Sequence, residues 1–370
     1  MNKCRRILAR LSAGFAVFIV VASILSLDGV DSRPYLRQPY YTETAARLRA
    51  TLATNSVVRG ELAAGFGRAR LTPTLNALED DPAKGLFRSL PLAGYGQRSG
   101  RPALGAHDDL RPASFGRGQF DAPEFVRNRV VGQLGKVDPE FSYLVLKQND
   151  GRLGVLGSYA AHATVFSGRM MEFSADYPGC WQRAVEQGTG GLAVFLAGGV
   201  GSHSPVPGTN GFAGAERMGQ ALARTLLAQL PQTSLTNSVT FGMLGLELSM
   251  PPLNVRLTDG IRFRPWLAKR LLPVREDSFL QAFRFDDSVW VSTPCDFSGE
   301  LALGIKDFLR VRGSRAVITS FNGDYVGYVI SPRYYHLDGY EPRLMSFFGP
   351  NVPDYFDELI RTMALGLATQ

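Results

Sequence analysis

The sequence predicts an α/β domain of mixed β-sheets flanked by helices, preceded by an N-terminal apolar segment. Three observations predict it. Strand-like and helix-like stretches mix along the chain from residue 61 onward, as in layered α/β folds. Several strand-like runs end in small-residue loops followed by amphipathic helices, the units in which such folds build their sites. The 370 residues are 45% apolar with 40 glycines, enough for one large core or two smaller ones and unlike a disordered or fibrous chain.

The N-terminus comes first. Residues 1–10 ("MNKCRRILAR") carry Lys3, Arg5, Arg6 and Arg10, and "LSAGFAVFIVVASILSL" (11–27) then runs without a charge. The reading is a basic cytoplasmic N-terminus and a transmembrane anchor at the short end of spanning length. A cleaved signal peptide competes, but its apolar stretch is usually shorter, and "SLDGVDSRP" offers no clear cleavage site. An uncleaved anchor is therefore favoured, single-pass at the cell membrane, with the rest of the chain extracytoplasmic. Residues 28–60 read as linker and helix, and 61–370 as the main globular domain.

Charge and cysteine usage narrow the function classes. Forty Lys and Arg against 33 Asp and Glu give a net charge of +7. The basic residues are scattered, with short clusters such as "RFRPWLAKR" (262–270) and no nucleic-acid groove pattern. Attraction to an anionic membrane fits this charge. Cys4, Cys180 and Cys295 lie far apart and form no CxxC pair, which excludes a disulfide framework and a Cys-rich zinc site.

The remaining elements follow in order. "GELAAGFGRARLTPTL" and "LPLAGYGQRSG" read as short strands and turns, and the Gly-, Pro- and Arg-rich stretch 97–122 as a loop region. "FSYLVLKQ" and "RLGVLGSYAAH", separated by Asn149-Asp150-Gly151, predict a hairpin. "YPGCWQRAVEQ" predicts a helix and "GLAVFLA" a strand. In "FAGAERMGQALARTLLAQL" Ala215, Met218, Leu222, Leu226 and Leu230 recur at helical spacing. "SVTFGMLGLELSM" is a long strand, "FLQAFRFDDSVWVSTPCD" two strands about an Asp-Asp turn, "GELALGIKDFLRVRG" a helix, "RAVITSFN" a strand and "DYFDELIRTMALGL" the last helix.

Four histidines invite individual reading. His107 lies in "GAHDDL", His162 ends an apolar strand in "GSYAAHATVFSG", His203 sits in "AGGVGSHSPVPG", and His336 in "YYHLDGY". His162 stands out because a small-residue loop follows its strand. The stretch 193–208 reads as a strand opening into Gly198, Gly199 and Gly201, then Ser202, His203 and Ser204. It is either a loop presenting a nucleophile or a tight turn of small residues. It is not a nucleophile elbow, which needs Gly on both sides of the central Ser.

The segments "AGFGRARLTP", "GYGQR", "GAHDDL", "AAHATVFSG…FSADYPG", "GSHSP", "TPCDFSGELALGIK" and "FNGDYVGYVIS" occur in an order and rough spacing that resemble the N-terminal domains of neutral/alkaline non-lysosomal ceramidases, over about residues 61–350. The resemblance implies an amidase that cleaves the N-acyl bond of ceramide, with one zinc held by two histidines, a glutamate and a tyrosine near a catalytic serine. By position it implies His162 as the second zinc histidine, Asp296 in the place of the zinc glutamate, Tyr328 as the zinc tyrosine and Ser204 as the catalytic serine. Imidazole, carboxylate and phenolate are sound zinc ligands, and an open position lets the metal activate water or polarise a carbonyl. The serine attacks directly or orients the water. Tyr328 is alternatively a core aromatic, and Asp296 a cap on the helix after it.

Three departures accompany the likeness. No histidine lies between His107 and His162, so the segment bearing the family's first zinc histidine is missing. Aspartate stands for glutamate at 296, and Ser202 for an aspartate in "GSHSP". His107 or His203 substitutes for the lost ligand, or zinc binds weakly, or the chain is degenerate. The expectation is a membrane-anchored zinc-dependent hydrolase acting on a lipid amide. Its alternatives are a degenerate lipid-binding relative and a metal-free serine hydrolase using Ser204 and His203. No nucleic-acid partner is expected.

Overall fold

The computed structural model describes residues 2–68, 78, 102–166, 168, 170, 174–272, 274–275 and 277–370. The expected short strands and turns of 69–75 and of "LPLAGYGQRSG" lie outside the described residues.

The chain begins with α1 (Asn2–Ser26), then β1 (Leu27–Gly29) and α2 (Pro39–Thr54). Short strands β2 (Val58–Glu61) and β3 (Ala63–Ala64) precede α3 (Pro102–Asp108), β4 (Arg111–Asp121) and β5 (Val126–Asn128). Next come β6 (Glu140–Gln148), β7 (Leu153–Tyr159), α4 (Asp176–Thr189), β8 (Leu192–Ala197), β9 (His203–Pro205) and α5 (Gly211–Gln229). The second half holds β10 (Ser238–Ser249), β11 (Ile261–Phe263), α6 (Pro265–Leu271), β12 (Asp277–Phe285) and β13 (Ser288–Ser292). It closes with β14 (Asp296–Phe297), α7 (Gly299–Arg310), β15 (Arg315–Thr319), β16 (Tyr328–Val329) and α8 (Val352–Thr369).

Two five-stranded mixed sheets carry the fold, in the orders β3-β4-β6-β7-β8 and β15-β13-β12-β10-β2. Each contains one parallel pair, β7 with β8 across α4 and β13 with β15 across α7. The inner faces meet through Phe115, Leu144, Val239, Trp290 and Val317, with Phe115 stacked on Phe285 at 5.6 Å. On the outer face of the first sheet, Trp181 and Val185 of α4 and Met218, Leu222 and Leu226 of α5 share a core with Phe141 and Val155. On the outer face of the second, Ile305 and Leu309 of α7 and Tyr355, Leu359 and Met363 of α8 bury Leu246, Leu280 and Val291. The result is four layers, helix–sheet–sheet–helix. It is the expected mixed-sheet class.

Local chemistry sets the element ends. α4 stops at Gly190, whose φ of 68° is the left-handed C-cap geometry. α2, inside the segment read as linker and helix, enters through Pro39 at its first turn and buries Leu48 in the second core.

One expectation needs correction. The loop expected over 97–122 is α3 plus the eleven-residue strand β4. Its glycines are packing residues, because a Cβ on Gly118 would strike the Tyr143 ring and one on Gly116 would strike Leu235 and the Ser234 carbonyl. Among the described residues no helix is long and apolar enough to cross a membrane, so the anchor expected at 11–27 has no support from the structure. Leu27 leaves the helix and pairs with Phe263 as a strand.

Candidate functional site

The C-terminal ends of both parallel pairs converge. β7 runs on to His162, β8 into Gly198–Gly201, β13 into Asp296 and β15 into Ser320. Hydrogen bonds stitch these ends together. Ser320 donates its N–H to Ala197 O at 2.8 Å and its hydroxyl to Gly198 O at 2.8 Å. Gly201 donates to Phe297 O at 2.7 Å, and Phe297 to Ser320 Oγ at 3.2 Å. The glycines follow from this crowding. A Cβ on Gly199 would lie 2.8 Å from Gly299 Cα, and one on Gly201 would run into the Asp296 carbonyl. The glycine-rich turn is therefore the contact between the two halves of the fold.

Asp296 is 2% exposed and lies beside Tyr328 in the parallel pairing of β14 with β16. Tyr325 donates its hydroxyl to Asp296 Oδ2 at 2.8 Å. His162 Nε2 lies 3.1 Å from Asp296 Oδ1. The contact lacks the alignment of a hydrogen bond, and Oδ1 has no hydrogen-bond partner among the described residues. Phe321 faces the imidazole at 6.3 Å and has a φ of 64°, a left-handed conformation unusual for a bulky side chain. Backbone strain is thus located at the rim of this pair.

Tyr328 is buried, and its hydroxyl accepts from Arg129 Nη2 at 3.1 Å. Burial, then the nearby Asp296 charge, push its phenol pKa far above the ordinary value. The Arg129 guanidinium also donates to Gly201 O at 3.2 Å and pairs with Glu341 at 3.0 Å. Ser204, on β9, accepts from Arg127 Nε at 3.1 Å. Among the described residues, no hydrogen bond or ion pair links it to His162, Asp296 or Tyr328.

His203 is fully buried. Its Nε2 accepts from the Asp138 N–H at 3.2 Å, and its Nδ1 lies 3.1 Å from Ser202 Oγ. With Nε2 accepting, Nδ1 carries the proton and donates to Ser202. Burial holds the pKa of His203 below the usual value despite the charges of Asp138 and Glu300. Both ring nitrogens are engaged, so His203 offers Ser204 no base. That removes the physical basis of the Ser204–His203 alternative. Ser202, which replaces the family aspartate, joins His203 to Ser298 Oγ at 3.1 Å and accepts from Gly299 N–H at 3.1 Å. Burial raises the Cys295 thiol pKa far above its ordinary value, which makes it an inert core group.

Behind this layer lies a buried charged cluster. Lys306 meets Asp138 at 2.8 Å and Glu140 at 3.1 Å. Glu300 accepts from the Lys136 N–H at 2.7 Å and from Tyr334 at 3.1 Å.

A zinc ion about 2.0–2.2 Å from a histidine nitrogen and a carboxylate oxygen holds those atoms about 3.3–3.6 Å apart on a tetrahedral edge. The His162–Asp296 separation of 3.1 Å is slightly shorter than such an edge, and Oδ1 is unpartnered among the described residues. The remaining corners are not supplied in kind, because no group of three His, Cys, Asp or Glu able to hold a metal occurs among the described residues. His107 does not substitute: its side chain is 78% exposed on α3, beside Asp108. His203 does not either, being committed to Asp138 and Ser202.

Sequence reasoning missed Arg127, Arg129 and Tyr325. The signal was present in "FVRNRVVG", where two arginines interrupt an apolar run, and in the first tyrosine of "NGDYVGY". An apolar cleft of about 360 Å³ between the sheets opens by Gly154 and Leu192, at the other ends of β7 and β8, and is separate from this constellation.

Fold and constellation together define a class: a four-layer α/β domain with an imidazole–carboxylate pair at the C-terminal ends of its parallel strands. No family model matches the sequence, and no curated protein matches it. Solved structures do. The neutral ceramidase from Pseudomonas aeruginosa superposes with a TM-score of 0.57 at 18% identity, over 73% of this chain and 54% of that one. A ceramidase complexed with C2 gives 0.56 at 17%, over 72% and 55%. The chain thus spans about half the length of these structures, and at such identity the likeness establishes the fold.

Proposed function

We propose that this chain is a hydrolase of the ceramidase type, cleaving the N-acyl amide bond of ceramide-like lipids. The observation that carries the reading is the buried Asp296 carboxylate, fixed by Tyr325 on one oxygen and left unpartnered beside His162 on the other, in the fold of ceramidases. Amides resist hydrolysis because the carbonyl is weakly electrophilic and the amine a poor leaving group. His162 and Asp296 would hold a zinc ion, with Tyr328 as the neighbouring oxygen donor. When bound, such a metal polarises the carbonyl and lowers the pKa of water. Arg129 keeps a cation beside Tyr328, positioned by Gly201 O and Glu341, where it steadies negative charge developing on a substrate oxygen. Ser204, which accepts from Arg127, would hold the substrate or attacking water rather than be deprotonated by a neighbouring imidazole.

Three donors in place of four, one of them a phenol that accepts from Arg129, should bind zinc loosely, and this favours a second reading, a lipid-binding relative without turnover. Membrane attachment belongs to the proposal as well: side chains of α1 are exposed from Leu11 through Val21, and its flank is basic. The domain then lies outside the cytoplasm.

Zinc stoichiometry, measured with fatty-acid release from N-acyl-sphingosine on the full-length chain, tests the reading. Slow release that follows zinc occupancy, is abolished by His162→Ala and is strongly reduced by Ser204→Ala is the expected result. No release at saturating zinc hands the case to the lipid-binding reading. Release that resists chelator and survives His162→Ala would refute the metal role.

A further inference from the structure

The end of α1 is tied to one corner of the domain. Leu25 O accepts the Trp266 indole N–H at 3.1 Å, Ser26 O accepts the Arg264 N–H at 2.8 Å, and Leu27 O accepts Arg264 Nε at 3.1 Å. The pairing of β1 with β11 then fixes the exit direction of the helix.

That corner is apolar and exposed. Trp266 and Leu271 on α6 are 54% and 56% exposed, and Leu257 and Ile261 stand out from the hairpin closed by Arg256 and Arg262. Arg343 binds Asp259 at the hairpin tip at 2.8 Å, which brings exposed Tyr340 and Leu344 alongside. Lys269 and Arg270, in the last turn of α6, are exposed next to these side chains. The Tyr340 ring lies 5.8 Å from Tyr328, so the far edge of the surface borders the candidate site.

We propose that this corner is a bilayer-docking surface for anionic lipid. Three features favour a membrane over a protein partner. The surface is continuous with a helix whose apolar side chains are exposed on every face. An indole with its N–H at an apolar–polar boundary is the usual anchor at a membrane interface. Basic side chains beside the apolar ones match lipid phosphates. Docked this way, the domain lies on the bilayer with the Tyr328 side of the site facing the lipid, so a lipid amide reaches it without crossing water. The inference rests on the membrane part of the preceding proposal and not on its chemistry.

Trp266 supplies the test, because the other two tryptophans, Trp181 and Trp290, are buried in the cores. Full-length protein is mixed with phosphatidylcholine–phosphatidylglycerol vesicles whose acyl chains are brominated or plain. Brominated chains should quench emission, Trp266→Phe should abolish the quenching, and Lys269→Glu with Arg270→Glu should diminish it with an unchanged circular dichroism spectrum. Equal emission from both vesicles by co-sedimenting protein overturns the inference. So does a failure to co-sediment, or a lipid-independent dimer that shields Trp266. Turnover does not enter this readout, so an inactive protein that is quenched supports the surface while counting against the hydrolase reading.

Discussion

Lys306→Met should unfold the protein more readily than any exchange of a surface charge. The ammonium lies 2.8 Å and 3.1 Å from the two Asp138 oxygens and 3.1 Å from Glu140, with side-chain exposures of 6%, 2% and 10%. Burial alone would lower the pKa of Lys306, but the two carboxylates reverse this and raise it above 10.5. Burial likewise works to raise Glu140, and the ammonium prevails and lowers it below 4.5. The signs define a window. The contribution of Glu140 is present above pH 4.5 and is lost as pH falls through its lowered value. That of Lys306 is present below pH 10.5 and is lost as pH rises through its raised value. At an effective dielectric of about 20, each contact near 3 Å supplies about 5–6 kcal/mol before desolvation. Desolvation offsets most of that, but removing one partner strands two buried carboxylates, which typically costs about 3–5 kcal/mol. Urea unfolding of the full-length chain at neutral pH should show a loss of that size. The neutral triple variant Lys306→Met, Asp138→Asn, Glu140→Gln should recover much of it. A loss below about 1 kcal/mol, the range of an exposed ion pair, would refute the reasoning.

Other outcomes follow from the same geometry. The folded-state pKa of His203 lies below 6.5, so the unfolded chain takes up the proton first and stability should fall as pH drops below that value. Thermal melts of His203→Gln should lack this acid slope. Tyr325→Phe deletes the hydroxyl that holds Asp296 Oδ2 and should weaken zinc binding by roughly tenfold to a hundredfold, read by chelator competition, with the fold retained. Chelating zinc should lower stability by about 1 kcal/mol or less at micromolar zinc, in contrast to a structural zinc site. A large drop in melting temperature would show that the metal holds the strand ends together.

The sequence makes the periodic elements legible because burial alone determines them. Met218, Leu222 and Leu226 keep one face of α5 against α4, and the Asn149-Asp150-Gly151 turn joins β6 to β7 with little help from elsewhere. It hides β4, where Gly116 and Gly118 are required by Leu235 and the Tyr143 ring, both supplied by distant parts of the chain. His162 is legible because it ends an apolar strand, whereas Asp296 is singled out only through the resemblance carried by "TPCDFSGELALGIK". Arg129 is not, since its role depends on Tyr328 and Glu341, some two hundred positions away and visible only once the halves have folded together.

The same assembly explains how an incomplete donor set can sit in an intact fold. The strand ends are joined by backbone and serine hydrogen bonds, Gly201 to Phe297 and Ser320 to Ala197 and Gly198, and none of these passes through His162. Gly199 and Gly201 admit the opposing chain at distances a side chain would forbid, so these positions are held by packing irrespective of any ligand. Charge points the same way. Glu341 pairs with Arg129, burial and Asp296 keep Tyr328 a neutral phenol, and Asp296 is the carboxylate facing the imidazole. A divalent cation there meets one compensating charge and one histidine, which favours loose binding over a permanent complex. On the proposed zinc reading, a missing ligand segment would cost affinity first, while the stitched strand ends would preserve the geometry that a restored donor needs.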